Sequence, residues 1–150
     1  MFEKTTLRVE YKKILKCLTV KRKYEAKNNL LSTIKPLIDS YSKILSFASL
    51  KDEVDLSELN TYLIAQKKLY LPKLIHNEIF LEADYDCILI PGLAFDTTGI
   101  RLGRGGGHYD KLLAKYAKAY TIGILFQEQL SKALLPKESH DIPVQKLCIF

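Results

Sequence analysis
Three features of the sequence predict one α/β domain in three layers, a mainly parallel sheet with helices on both faces. Four apolar runs, Ile44–Ala48, Cys87–Ile90, Tyr120–Phe126 and Val144–Phe150, have the length and composition of buried strands. Stretches with helical spacing of apolar residues separate them, the alternation that parallel strands joined by crossover helices require. The run Cys87-Ile88-Leu89-Ile90 is apolar at every position, so both faces of that strand are expected to be covered. A chain of 150 residues is long enough for a single domain, 1–150, with a real core.

Each element has its own signal. Thr5–Leu18 places Leu7, Tyr11, Ile14, Leu15 and Leu18 on a helical stripe, while Lys4 and Arg8, four apart, share one face. On spacing alone those two charges read as a solvated pair. Tyr24–Tyr41 predicts a second helix with Leu30, Leu31, Ile34, Leu37, Ile38 and Tyr41 inward, and Pro36 predicts a kink or interruption near Lys35. Lys43–Leu50 reads as a strand, with Asp52-Glu53-Val54-Asp55 at its carboxyl end. Asp55 as N-cap and Glu58 three residues on suggest a capping box for a helix over Leu56–Gln66. Lys68–Leu71 is a short strand closed by Pro72-Lys73, and Leu74–Tyr85 has room for one edge strand, Glu78–Glu82, and a turn. The last helix is expected over Tyr109–Lys118, with Leu112, Leu113 and Tyr116 inward.

The chemistry concentrates between Asp86 and Leu113. After the buried strand come Pro91-Gly92, the turn Asp96-Thr97-Thr98-Gly99, and then Gly103, Gly105, Gly106 and Gly107 directly before a helix. Glycines let successive backbone N–H groups turn inward as an anion-binding nest, and the helix N-terminus adds its positive end. Arg101 and Arg104 lie inside the loop, where a guanidinium can fork onto phosphate oxygens. Asp110 follows at a position suited to a divalent cation bound to those phosphates. The plainer reading is a glycine-rich turn with Asp110 as a helix N-terminal acid. Four glycines beside two arginines favour phosphate. A Walker loop is excluded because His108 follows Gly107, and a dinucleotide fingerprint because His108 stands where a glycine is needed and Gln127 closes the next strand.

Pro91-Gly92-Leu93-Ala94-Phe95-Asp96, Gly99, Arg101-Leu102-Gly103 and Gly105 through Asp110 resemble, in order and spacing, the signature of the 5-formyltetrahydrofolate cyclo-ligases (methenyltetrahydrofolate synthetases). The resemblance implies a cyclo-ligase-like α/β fold and ATP-dependent conversion of 5-formyltetrahydrofolate to 5,10-methenyltetrahydrofolate, releasing ADP and phosphate. It gives Lys4 and Arg8 a role over the sheet at the ATP phosphates, with Lys4 and Arg104 as the catalytic cations. ATP binding would fall to Lys4, Arg8, Arg101, Leu102, Gly103, Arg104, Gly105, Gly106, Gly107, His108 and Tyr109. The reduced folate would meet Ala48 and Glu53, together with the segment Arg104–His108. Asp110 and Asp141 would hold Mg²⁺. The chain departs from the family pattern at His108, where Tyr is usual, and in Leu74–Tyr85, where relatives carry a longer insert over the folate site. Phe126 and Gln129 also resemble family residues, but a strand end and a cap describe them equally well. His76 and His140 read as polar surface residues.

Composition bounds the alternatives. A net charge of +6 and a pI near 9.1 suit anionic ligands such as nucleotides or polyglutamates. Much of the excess lies in the N-terminal third, at Lys12, Lys13, Lys16, Lys21, Arg22 and Lys23. Nucleic acid is not the expected partner, because interleaved aromatics and recognised motifs are absent from the sequence. No run approaches membrane-spanning length, and the N-terminus lacks the apolar core of a signal peptide. Cys17, Cys87 and Cys148 show neither metal nor disulfide spacing and predict buried free thiols. A cytoplasmic monomer is expected. The other function weighed is a non-catalytic or substrate-shifted nucleotide- or folate-binding homologue, for which the shortened middle argues.

Overall fold
A computed structural model gives the fold of the chain. It describes the backbone of residues 2–75, 78–80 and 83–150, and the side chains of residues 3–73 and 83–150. Helices α1 (Phe2–Lys16) and α2 (Val20–Ile38) precede strand β1 (Ile44–Leu45), helix α3 (Ser57–Ala65) and strand β2 (Leu69–Tyr70). Then follow β3 (Lys73–Ile75), β4 (Glu78–Phe80), β5 (Cys87–Ile90), β6 (Ala94–Phe95) and β7 (Arg101–Leu102). Helix α4 (His108–Lys115), strand β8 (Tyr120–Leu125), a 3₁₀ turn (Gln127–Gln129) and strand β9 (Lys146–Ile149) complete the order.

Strands β2-β1-β5-β8-β9 form one sheet in that order, and every pair within it is parallel. The pleat divides the central strands between two cores. Ile44, Cys87, Leu89, Ile122 and Ile124 face Tyr11, Leu15, Leu30, Ile34, Leu59 and Leu63 of α1, α2 and α3. Leu45, Ile88, Ile90 and Leu125 face Leu112, Leu113 and Tyr116 of the α4 side. These are the expected three layers, and Cys87–Ile90 is buried at all positions. The chain winds outward from β1 to β2 through α3 and from β5 to β8 through α4, on opposite faces. The carboxyl ends of β1 and β5 therefore flank a topological switch point, the place where open α/β sheets bind ligands.

Several boundaries differ from expectation for local reasons. Helix α2 begins four residues before Tyr24 because Thr19 caps it, accepting the Arg22 N–H at 3.0 Å. Pro36 interrupts nothing: it sits on the exposed side of the last turn, and the helix continues to Ile38. Asp55 accepts the Ser57 N–H at 2.8 Å, but Leu56 is the helix cap and makes no side-chain capping bond, so the expected Asp55–Glu58 box does not form. The Leu74–Tyr85 region holds not one edge strand but a hairpin, β3 paired antiparallel with β4 and separate from the main sheet. His76 and the expected strand end at Glu82 lie outside the described residues. Cys17 is exposed, contrary to the expectation of three buried thiols. Cys87 and Cys148 are buried, and burial pushes the Cys87 thiol up to about 12.

Inside the glycine-rich stretch the turn Asp96–Gly99 closes a second hairpin, β6 with β7. Buried Asp96 holds it: one carboxylate oxygen accepts from the Thr98 N–H (2.9 Å), the Thr98 hydroxyl (2.6 Å) and the Ile100 N–H (3.2 Å). The other accepts from the Leu135 N–H at 2.9 Å, tying the hairpin to the loop before β9. Gln129 is a second buried strut, donating to the Gly92 and Leu93 carbonyls at 2.8 and 3.2 Å and accepting the Phe126 N–H at 2.8 Å. Together they fix where the loop leaves the sheet.

Candidate active site
A cavity of about 570 Å³ lies at the carboxyl ends of β1 and β5. Its walls come from four places in the chain. Helix α1 supplies Lys4 and Arg8, and the loop after β1 supplies Phe47, Ala48, Leu50 and Glu53. The β5 exit and the glycine-rich segment supply Pro91, Gly92 and every residue from Arg101 to Asp110, while the loop before β9 adds Glu138, His140 and Asp141. All the site residues expected from the sequence thus meet in one cavity.

The basic and acidic groups are already matched across it. Lys4 Nζ donates to Asp141 Oδ2 at 2.9 Å and lies 3.7 Å from Glu138 Oε1. Asp141 also accepts the Glu138 N–H at 2.8 Å. Burial pushes the Asp141 carboxyl upward, but the Glu138 N–H and Lys4 outweigh it and hold the pKa below its ordinary value. Arg8 Nε donates to the Gly103 carbonyl at 2.8 Å, so α1 is tied to the glycine-rich segment. Arg104 crosses the mouth from that segment, 2.6 Å from Asp52 Oδ1 and 3.7 Å from Glu53 Oε2. Glu53 in turn accepts the Leu50 N–H at 2.8 Å. Its pKa is raised because burial outweighs the Leu50 bond and the Arg104 charge. The site is therefore not a purely cationic cradle: a polyanion entering it exchanges with carboxylates already in place.

The backbone supports the nest. Gly105 and Gly107 have φ of +106° and +70°, the left-handed region that a side chain disfavours. Gly107 is the N-cap of α4, so the helix N-terminus opens directly from the nest. Tyr109, in the first turn, lies under the Arg101 guanidinium, whose carbon is 5.3 Å from the ring centroid. Burial keeps its phenol neutral by pushing the pKa well above the ordinary range.

Among the described residues, one group of side chains can hold a cation. Asp110, His140 and Asp141 each offer a ligand atom, and these atoms all lie within 4.8 Å of one another. Two carboxylates at that separation give the hard oxygen donors that Mg²⁺ takes, with room left for water and phosphate oxygens. Sequence reasoning chose both aspartates and passed over their neighbours. His140, with its side chain 61% exposed, looked like surface, yet it lines the cavity with Nε2 3.2 Å from Glu138 Oε2. The available signal was adjacency, since the residues beside a metal-binding aspartate in a tight loop share its surroundings.

Comparison with known proteins bears on the family and the fold. The sequence model of the 5-formyltetrahydrofolate cyclo-ligase family matches residues 74–149. The chain belongs to this family. Mouse (Mus musculus) 5-formyltetrahydrofolate cyclo-ligase is 36% identical over 78 residues, which take in 49% of this chain and 38% of the mouse protein. The match thus spans well under half the length of that curated relative. Likeness in structure reaches further. The NMR structure of 5,10-methenyltetrahydrofolate synthetase from Aquifex aeolicus superposes with a TM-score of 0.83 at 30% identity, covering 97% of this chain and 89% of that one. A 5,10-methenyltetrahydrofolate synthetase from Mycoplasma pneumoniae gives 0.80 at 22% identity, covers 97% of both chains, and bears on the fold. The three-layer parallel architecture is that of the cyclo-ligase family. No helix among the described residues is long and apolar enough to cross a membrane.

Proposed function
We propose that this cyclo-ligase family member converts 5-formyltetrahydrofolate to 5,10-methenyltetrahydrofolate at the expense of ATP, with Mg²⁺ at Asp110 and Asp141. The observation that carries the proposal is the convergence, in one cavity, of Lys4 and Arg8 from α1, the nest from Gly103 to Gly107, and the facing carboxylates of Asp110 and Asp141. Binding ATP alone needs the first two. A carboxylate pair beside them is what phosphoryl transfer adds.

The reaction needs no protein nucleophile. A formyl oxygen is a poor leaving group, and transfer of the ATP γ-phosphoryl group to it makes a good one. The neighbouring folate nitrogen then attacks the formyl carbon, the ring closes, and phosphate leaves carrying the formyl oxygen. What remains for the protein is positioning and charge neutralisation. Lys4, Arg8 and Arg104 compensate charge on the phosphates, and the backbone N–H groups of Gly103, Gly105, Gly106 and Gly107 donate to their oxygens. Leu102, His108 and Tyr109 line the same wall. When bound, Mg²⁺ shields the phosphate oxygens from the incoming nucleophile and from one another. Glu53 accepts from the donor edge of the pterin, and Ala48 lines the same pocket. Asp52 keeps Arg104 at the mouth until a more highly charged partner takes it.

The same reading makes ATP and a reduced folate the partners of a cytoplasmic monomer, with neither membrane nor nucleic acid required. Free thiols at all three cysteines fit a reducing compartment. The test is turnover: purified protein with Mg-ATP and 5-formyltetrahydrofolate, followed by the near-ultraviolet absorbance of the methenyl product. Product that depends on both ATP and Mg²⁺ supports the proposal. Retained ATP binding without product would point to a binding-only or substrate-shifted homologue.

A further inference from the structure
Arg101 differs from the other basic groups of the cavity in being enclosed. Its side chain is 9% exposed, against 33% for Arg104. Two glycines wall the slot that holds it. A Cβ on Gly92 would stand 2.8 Å from Arg101 Cγ, and one on Gly103 would stand 2.8 Å from Nη1 and 3.2 Å from Nη2. The guanidinium lies over the Tyr109 ring and donates through Nη1 to the Pro91 carbonyl at 3.4 Å. Its Nη2 lies 3.5 Å from Asp110 Oδ1, the carboxylate that faces Asp141 and His140. Its Nε finds no acceptor among the described residues. The side chain lines the cavity but is held on every side there rather than left free to follow a mobile phosphate.

We propose that Arg101 is a positioning residue: packed between Gly92 and Gly103 and stacked on Tyr109, its guanidinium fixes the Asp110 carboxylate in the direction a divalent cation requires, rather than binding phosphate itself. The proposal rests on the nucleotide-and-metal reading above and refines it. A planar fork suits the role because it stacks and points at once. Lysine keeps the charge but has neither plane nor second donor. Groups that orient a metal ligand act on metal affinity, with losses of about 10- to 100-fold when they are removed.

Two variants test this. R101K keeps the charge and loses the fork, whereas G92A, at the wall glycine that has no part in phosphate contact, keeps the arginine and crowds its stem at Cγ. Thermal melting checks the fold of each. The readouts are Mn²⁺ affinity by electron paramagnetic resonance with a non-hydrolysable ATP analogue present, and affinity for the same analogue in EDTA by calorimetry. Both variants are expected to bind Mn²⁺ about tenfold more weakly and the metal-free analogue within about twofold of the parent protein. A tenfold loss of metal-free binding with Mn²⁺ affinity unchanged would overturn the proposal in favour of direct phosphate contact. Unchanged values for both ligands, or collapse of both melts, would overturn it in favour of packing alone. If the unsubstituted protein bound no Mn²⁺, the metal reading itself would fall, and this role with it.

Discussion

The two halves of the molecule contribute to the cavity in different ways. The C-terminal half, which carries the family match over residues 74–149, supplies the backbone: a run of glycines, a helix N-terminus and two carboxylates, one in the first turn of α4 and one in the loop before β9. The N-terminal half supplies single side chains that reach in from separate elements, Lys4 and Arg8 from α1, Ala48 and Glu53 from the loop after β1. A nest depends on a run of consecutive φ, ψ values, so it leaves a dense signature in sequence. A reaching side chain needs only one residue at the right height on a helix or loop, and its neighbours are free to vary. The likeness in structure, by contrast, extends over 97% of the chain. Sequence similarity here marks where function is written in the backbone, not where function stops.

That contrast can be broken or sharpened by substitution. The largest effect is expected at Asp110. D110A should lower kcat by on the order of 100- to 1,000-fold while the protein still folds, with a lowered melting temperature because enclosed Arg101 loses its carboxylate partner. Normal turnover in that variant would remove the metal assignment. Next comes the N-terminal half. K4A should lower kcat/KM for ATP by about 100-fold and relieve nothing elsewhere. If the effect stayed below about threefold, α1 would be packing rather than chemistry, and the two halves would not share the work. Glu53 should act on the other ligand: E53Q is expected to raise KM for the folate about tenfold and leave KM for ATP unchanged.

Three smaller effects concern stability. Asp96 accepts four hydrogen bonds, two from exposed Thr98 and two from the buried Ile100 and Leu135 N–H groups, and together they outweigh burial and hold its pKa below its ordinary value. D96A should cost about 3 kcal/mol in urea unfolding. The sign with pH follows from the depressed pKa. The carboxylate's contribution is complete above the unfolded value near 3.8 and is lost as pH falls through the lower folded value. The stability gap between the parent protein and D96A should therefore close in acid below that point and stay constant at neutral pH. Glu53 has the opposite sign. Burial raises its folded pKa, so its favourable contribution is confined to pH below the unfolded 4.5 and is lost as pH rises through the folded value. E53Q should then be at least as stable as the parent at neutral pH. The smallest effect belongs to Gly107, where an added Cβ meets nothing within 4 Å and only the left-handed φ is strained. G107A should cost about 1 kcal/mol.

Much of this was legible beforehand, for reasons that differ by residue. Cys87–Ile90 announced itself because a strand covered on both faces must be apolar at every step. Gly103, Gly105, Gly106 and Gly107 did so because clustered glycines mark a loop, and Gly105 and Gly107 take the left-handed φ that side chains disfavour. The β6–β7 hairpin was read as turns alone, since each strand has two residues and pattern needs more than that to show. Its organiser, Asp96, was visible only as a turn residue, because its bond to Leu135 spans 39 positions. Gln129 was undecidable for the same reason, its carbonyl partners lying 36 and 37 residues away. Glu138 and His140 join the cavity through a loop whose path no periodicity records. The pairing of Lys4, Arg101 and Arg104 with carboxylates was also hidden, although every residue involved was in view. Charge composition says how many ions there are; only the fold says which ones meet.

The central claim is that the formyl oxygen leaves as part of phosphate. It is tested most directly with 5-formyltetrahydrofolate labelled with ¹⁸O in the formyl group, unlabelled ATP and water, and mass analysis of the phosphate released. One ¹⁸O atom in each phosphate is the predicted result. Unlabelled phosphate alongside methenyl product would contradict it, because the formyl oxygen would then have left without ever being phosphorylated.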